Sequence, residues 1–444
     1  MLETINNYIW NAGLLVLLLG TGVYITVKTG FFQLRGAGYI LKKIYASLKG
    51  KGSEGVSQWR VCMSALAASM GTGNIVGVTA ALSIGGAGAI FWMWCSAFFG
   101  MALTYGENVL SFRYRKNESG SAGACAYIKH GLGMKWLGWL YSLFCVLAAF
   151  GMGNMTQSSA AASALEHAFG IPPYVTGLVI MLLLVLAVLG GIKSVGKVTG
   201  FLLPFAAAGY MLTALAVIIL NIERVPAAFA EIVSEAFGIR QLSGGGIGAA
   251  ISAGLRHGVF SNEAGLGSSG LIHSSAQDDD KYLQGMWSVF EVFLDTMVCC
   301  TLTALAVLCT DVPVSHGSQP VAEAFSCVLG EYSEGAVGIM IALFAVCTML
   351  GWCCCGETAL TSLSKGKSTV YVYRAAFCIC AMTGAMGALS DVWTLSDIAN
   401  GLMALPNLLA LLCLSKYIDT PDGWRKNMSV WKKSVKLYKT DGTA

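Results

Sequence analysis

Ser69-Met70-Gly71-Thr72-Gly73-Asn74 sits at the centre of residues 61–85, a run otherwise apolar enough to cross a membrane. Two glycines there weaken a helix, and Thr72 and Asn74 put polar groups where lipid would lie. Non-helical backbone at that depth is tolerated only where protein buries it or where it lines a water-filled cavity. Close packing through small residues would account for the glycines alone; with Asn74 beside them, the sequence favours a broken helix at a binding site. A second stretch has the same character: Arg256-His257-Gly258-Val259-Phe260-Ser261-Asn262-Glu263-Ala264-Gly265-Leu266-Gly267-Ser268, after five glycines between 244 and 254. Arg, His and Glu within eight residues are costly against lipid, so they are paired or solvated inside a bundle. The competing reading is a cytoplasmic loop, since the span ends near 270.

The rest of the chain supports a membrane setting. Of 444 residues, 55% are hydrophobic and 12% charged, with a mean hydropathy of +0.65. That charged fraction is about half of what a soluble domain carries. The short alternating segments of a transmembrane barrel are absent. The first apolar run has no basic leader and ends in Thr26-Val27-Lys28 rather than a small-x-small site, so it reads as a retained helix. The 15 cysteines, including Cys353-Cys354-Cys355, lie mostly inside apolar segments and read as small hydrophobes.

Apolar runs between polar breaks predict an all-α protein with eleven spans, near 8–28, 61–85, 88–112, 136–165, 174–191, 198–222, 244–270, 284–310, 336–362, 368–389 and 392–415. With the N-terminus outside, 25 of the 28 Lys and Arg fall on the cytoplasmic side, and Glu223, Glu231, Glu235, Asp311, Glu323, Glu331 and Glu334 fall outside. This follows the positive-inside rule and predicts a multi-pass protein of the cell (inner) membrane with its C-terminus in the cytoplasm. Setting the first span aside leaves ten. These divide into two fives, each opened by an interrupted helix and entering the membrane from opposite sides. That is an inverted repeat, which points to a transporter binding site at the breaks. The expected organisation is therefore 1–60, an extra N-terminal helix and basic linker; 61–222, the first repeat; 223–242, an outer loop; 243–415, the second repeat; and 416–444, a basic tail. Ile40, Ile44 and Leu48 among lysines, and Trp424, Met428, Trp431, Val435 and Tyr438 in the tail, predict two amphipathic helices on the inner bilayer surface rather than nucleic-acid contacts.

Other polar residues are open to two readings. Asn154 and Gln157 either bind substrate or bond neighbouring helices. Thr348 and Trp352 lie four apart, on one helix face; Trp352 is either a pocket wall or packing. Glu107, Glu291, Asp295 and Glu357 are either paired structural groups or proton carriers, with structure favoured. Asn400 and Asn407 read as interhelical hydrogen bonders, and His257 and His273 as structural hydrogen bonders.

Gly71-Thr72-Gly73-Asn74-Ile75-Val76-Gly77-Val78, Gly153-Asn154-Met155-x-Gln157 and Phe260-Ser261-Asn262-Glu263-Ala264-Gly265-Leu266-Gly267-Ser268 resemble the alanine or glycine:cation symporter family. So do Leu350-Gly351-Trp352-x-x-x-Gly356-Glu357 and Asp397-Ile398-Ala399-Asn400-Gly401-Leu402-Met403-Ala404-Leu405-Pro406-Asn407. The likeness runs from the second span to the eleventh. It implies a leucine-transporter-like 5+5 inverted repeat plus one helix, and sodium-coupled uptake of alanine or glycine. By that likeness Gly71, Thr72, Gly73 and Asn74 present amides to the substrate carboxylate, and Gln157 hydrogen-bonds the substrate. Phe260, with its neighbours Gly258, Ser261 and Asn262, and Trp352 close around a small side chain. Sodium sits between carbonyls near Ala67 and Met70 and the Thr348 hydroxyl.

Two departures stand out. Cys353-Cys354-Cys355 replaces the usual tyrosines after Trp352, and Ser159 stands where Asn is common. Smaller groups near the site predict tolerance of substrates larger than glycine. Proton coupling on the same fold is the alternative mechanism. A channel would show a repeated pore motif or selectivity ring, and an enzyme a nucleophile or His/Asp constellation; neither is present. No obligate protein partner is evident. Competition against labelled alanine should show displacement by serine as well as glycine, and displacement by glycine alone would refute the wider pocket.

Overall fold

The structure, a computed structural model, describes residues 2–10, 12–49, 58–115, 122–238, 246–276, 280–315, 317–387, 390–422 and 424. Among these residues there are helices and no strand. Backbone polar groups in a bilayer must be satisfied within the segment, and helices do this. Among the described residues eight helices are long and apolar enough to cross a membrane, from Thr4–Lys28 to Thr394–Cys413. A ninth is the pair Gln58–Ser69 and Thr72–Gly85, bent by 54° at the Met70-Gly71 break. Pro173–Leu189 is apolar but has only 17 residues. The expected span 244–270 is two pieces, Gly246–Asn262 and Ser268–His273.

Tyr332–Leu363 forms the centre of the bundle, with 78% of its most apolar window buried. The interfaces around it are built from small residues, which let backbones approach where no hydrophobic drive exists between helices. The second broken helix is the clearest case. A methyl group at Gly254 would collide with the Ala89 carbonyl and stand 2.6 Å from Trp92 Cβ, and one at Gly258 would stand 2.7 Å from Ser96 Cβ. Four residues apart, these glycines form one seam against Gly88–Tyr114. The outward faces are apolar, with Phe201, Phe205, Leu186 and Leu189 exposed, as lipid contact requires.

Two local expectations need correction. The stretch 223–242 contains a helix, Val225–Ala236, rather than only loop. Pro226 suits its first turn, and Glu235 accepts the Gly88 N–H at 3.4 Å, placing a carboxyl group at the N-terminus of the earlier helix Gly88–Tyr114. In the helix Ala37–Lys49, Ile40 and Ile44 are buried within the protein, so they do not face a membrane surface; Leu41, Tyr45 and Leu48 are its exposed apolar residues. The expected tail helix from Arg425 onward lies outside the described residues. Because the Gly254 seam has no room, Gly254→Val should destabilise the detergent-solubilised protein by about 1–3 kcal/mol, the usual cost of overpacking. A thermal melt matching the wild type would show that the two helices separate freely.

Candidate functional site

The first break begins where helical hydrogen bonding stops. The Gly71 amide turns to Asn74 Oδ1 at 3.0 Å, and the Thr72 amide turns to Gln157 Oε1 at 3.3 Å. The Asn74 amide bonds the Gly71 carbonyl at 3.3 Å. The carbonyls of Ala67, Ala68 and Met70 therefore lose the amides that would pair with them four residues on. Gln157 Oε1 also accepts the Thr72 hydroxyl at 2.8 Å, while its Nε2 donates to the Met152 carbonyl at 3.1 Å. A carboxylate oxygen at the Gln157 Oε1 position would take the same two Thr72 donors.

Thr348 comes to this point from the central helix. A methyl at Gly71 would collide with Thr348 Oγ1 and lie 3.2 Å from Gln157 Oε1. Only glycine leaves the three groups room to meet. Thr348 Oγ1 is buried and makes no hydrogen bond among the described residues. One turn away, Gly351 lies against Ala68, where a methyl would stand 2.8 Å from its backbone nitrogen. Ala67, Met70 and Thr348 are all buried here. Phe260 approaches from the second broken helix, its Cδ1 lying 3.4 Å from the Cβ position of Gly73.

The two breaks are tied together by Asp295. Asn74 Nδ2 donates to Asp295 Oδ1 at 2.7 Å and to its carbonyl at 2.9 Å. Ser261 and Thr296 donate to Oδ2 at 2.8 and 2.7 Å. Asp295 lies in Phe293–Cys300, a stretch of π-helix. Such widened turns concentrate at functional sites and alter which way side chains point. The Thr303 hydroxyl completes the contact, donating to the Asn74 carbonyl at 2.8 Å.

The second break carries left-handed backbone at Glu263, Gly265 and Gly267, with φ of 56°, 87° and 79°. For glycine this conformation costs little; for Glu263 it is uncommon and needs support. That support comes from Trp352, whose Nε1 donates to Glu263 Oε1 at 2.6 Å, and from Ser268, which donates to Oε2 at 2.6 Å. Glu107 receives the Gly267 amide at 3.1 Å and Asn407 Nδ2 at 2.7 Å, and Asn407 also donates to the Gly265 carbonyl at 2.8 Å.

Of the residues read from the sequence, Gly71, Thr72, Asn74, Gln157, Ala67, Met70 and Thr348 gather at the first break, with Gly73 against Phe260. Ser261 joins them through Asp295. Gly258 faces Ser96 on the neighbouring helix. Asn262 Oδ1 caps the Ala264 amide at 3.0 Å. Trp352 is directed to Glu263 and packs over Gly153. Asn154 donates to the Phe377 carbonyl at 2.7 Å, which is the interhelical role. Cys353 and Cys354 line a crevice with Val188, Val195, Glu357 and Arg374, and Cys355 lies by the Ser268 carbonyl. Asp295, Glu263 and Glu107 hold both breaks, yet the sequence marks Asp295 and Glu107 only as charges in apolar runs and Glu263 only as part of a shared motif.

A family model described as the sodium:alanine symporter family matches residues 1–429. The chain belongs to this family. The sodium/alanine symporter AgcS of Methanococcus maripaludis is 41% identical over 430 residues, covering 94% of each chain. The "probable sodium/glutamine symporter" GlnT of Bacillus subtilis is 34% identical, covering 94% of this chain and 88% of its own. Among solved structures, a Na+-coupled sialic acid symporter aligns with a TM-score of 0.60 at 14% identity, covering 90% of this chain and 86% of its own. That likeness shows the fold, of the leucine-transporter class. This member of the symporter family is thus a multi-pass membrane transport protein and not an enzyme.

Removing the indole N–H with Trp352→Phe leaves Glu263 short of a buried partner, at a cost of about 1–3 kcal/mol. Pairing it with Glu263→Gln in a double-mutant cycle on thermal stability should give a coupling of about 1 kcal/mol or more. Additive effects would mean that the indole and the carboxylate act independently.

Proposed function

We propose that the chain carries a small neutral amino acid (alanine, glycine or serine) into the cytoplasm together with sodium, by alternating access. The observation carrying this reading is the crowding of Thr348, Gln157 and the Thr72 donors around Gly71. It supplies two kinds of site at one break. The Thr72 amide and hydroxyl, on the turn that leads into Val76–Gly85, suit an anionic carboxylate, because a half-helix N-terminus is its positive end. The Ala67 and Met70 carbonyls, without helical amides, and the buried Thr348 hydroxyl form an all-oxygen set that suits a hard cation. Substrate and ion would then share Gly71 as their border, which gives each a reason to favour the other's binding. Phe260 beside Gly73 would limit the side chain to a small one.

The arrangement proposed is eleven spans with two inverted fives, divided at 61–222 and 243–415, the N-terminus outside and the basic tail inside. It is supported by helix at each of the eleven apolar stretches, by a break opening each half, and by the Lys and Arg asymmetry. Proton coupling is the second reading, favoured by the full burial of Asp295 where the broken helices meet. A carboxylate there is a natural proton site in a membrane.

Purified protein in liposomes, with labelled L-alanine outside, tests both. An inward sodium gradient against a potassium control should drive accumulation, and Gln157→Ala or Asn74→Ala should abolish it. Accumulation driven by a pH gradient and indifferent to sodium would transfer the coupling to Asp295. Thr348→Val should weaken the apparent sodium affinity about tenfold, equivalent to about 1.4 kcal/mol, while Thr348→Ser retains it. Equal sodium affinity in both variants would remove Thr348 from the ion site.

A further inference from the structure

His273 is buried at the end of the second broken helix, and it connects three elements. Its Nδ1 lies 2.8 Å from Gln284 Oε1, and its Nε2 lies 3.1 Å from both carboxylate oxygens of Glu291. Gln284 in turn forms a reciprocal amide pair with Gln58, each Nε2 donating to the other's Oε1 at 2.9 Å. Gln58 is the first residue of Gln58–Ser69, the half-helix leading to Gly71. One chain of contacts therefore runs from Glu291 through His273 and Gln284 to the end of the first broken helix.

The hydrogen count in this chain is informative. Gln284 commits its N–H to Gln58 and presents an oxygen to His273, so Nδ1 donates. Glu291 presents two oxygens, so Nε2 donates as well. Both ring nitrogens carry hydrogen only in the imidazolium form. Such a buried imidazolium–carboxylate pair is neutral overall, but losing the imidazolium proton leaves an unpaired buried charge and deletes one hydrogen bond.

We propose that His273 and Glu291 form a proton-sensitive clamp on the inner half of the first broken helix, acting through the Gln284–Gln58 pair. The clamp is complete while His273 is charged and is lost as pH rises through its titration. In the orientation proposed above this end faces the cytoplasm, so the pH there sets how readily the half-helix leaves the bundle. His273 and Glu291 are positioning residues, because neither lies at the Gly71 break.

Among the described residues the charged and titratable neighbours are few. From Gly88–Tyr114 and the residue after it come Glu107, whose carbonyl lies near Gly270, and Arg115, whose Nη1 donates to the Ser274 and Ala276 carbonyls at 3.0 and 2.7 Å. From Gln58–Ser69 comes the Cys62 thiol, which accepts from Gln58 Nε2 at 3.4 Å. Lys281, at the start of the Glu291 helix, is held by Asp419 at 3.0 Å. Arg115 donates to these carbonyls and Lys281 has its own carboxylate, and among the described residues Glu291 is paired with His273.

Amide hydrogen exchange of residues 58–69 in the full-length reconstituted protein, corrected for intrinsic exchange chemistry, reads the clamp without substrate or gradient. Protection should fall several-fold from about pH 5 to about pH 9, a window that encloses the range of about pH 5 to 8 in which histidine commonly changes charge. His273→Gln should flatten that response, and Glu291→Gln should move it to lower pH. Gln58→Ala keeps the charged pair but cuts the link, so protection should be low and insensitive to pH. A wild-type response that is flat, or that persists in His273→Gln or Gln58→Ala, overturns the clamp. Should His273→Gln fail to fold, Gln58→Ala alone decides. Uptake at varied internal pH is the second readout, and it rests on the transport reading above. A pH response in exchange but none in uptake keeps the clamp and counts against its role in release.

Discussion

A helix interrupted inside a bilayer releases amides and carbonyls that water cannot reach, and every one of them must find a partner. In this protein the partners are borrowed from distant helices. Gln157 serves the Thr72 amide, Glu107 the Gly267 amide, Asn407 the Gly265 carbonyl and Tyr141 the Leu266 carbonyl. Tertiary contacts thus satisfy the amides freed at each break while the Ala67, Ala68 and Met70 carbonyls stay open at the first, and the same contacts fix where the breaks stand. Asp295 goes furthest, since it receives donors from both broken helices and from its own turn. Polar groups that would be liabilities against lipid become the bonds that hold the bundle in register.

How far the sequence could reveal this depends on where the information lies. Gly71 and Gly73 disrupt helix by their own nature, so the first break is readable from residue types alone. Thr348 and Gln157 were placed near it by family likeness, and the structure brings both to Gly71. The Asp295 contact was beyond reach, because it depends on the register of a π-helical turn and on a juxtaposition across 221 residues. Trp352 shows the same limit: spacing gives its helix face, but not that its N–H meets Glu263. Cys353 and Cys354 follow Trp352 in sequence, yet they point to a crevice by Arg374. One residue of helix is a rotation of about 100°, so adjacency in sequence seldom means adjacency in a site.

The seam between Gly246–Asn262 and Gly88–Tyr114 shows a related compromise. Gly254 and Gly258 admit the neighbouring backbone so closely that neither position tolerates a side chain. Glycine is a poor helix former, and the seam accepts that weakness in exchange for contact. Dispersion between closely packed atoms is the attraction available to helices that lipid surrounds equally well. Ile40 and Ile44 follow a different rule. They lie on a helix outside the spans, where burying apolar surface against protein competes with burying it in lipid headgroups, and protein has won.

The widened turn at Phe293–Cys300 has a consequence for the length of the chain. It takes in more residues than an α-helix would over the same rise, and everything after it is rotated accordingly. Rewinding the same residues as an ordinary α-helix, with none removed, would swing Thr301 and Thr303 about 100° around the axis, the angle that one α-helical residue occupies. Thr303 would leave the Asn74 carbonyl, and Thr301 would leave the indole N–H of Trp94. The segment therefore encodes geometry in its count of residues. The wide turn takes up a residue that an α-helix would have no place for, and so keeps the faces on either side of it aimed at their neighbours.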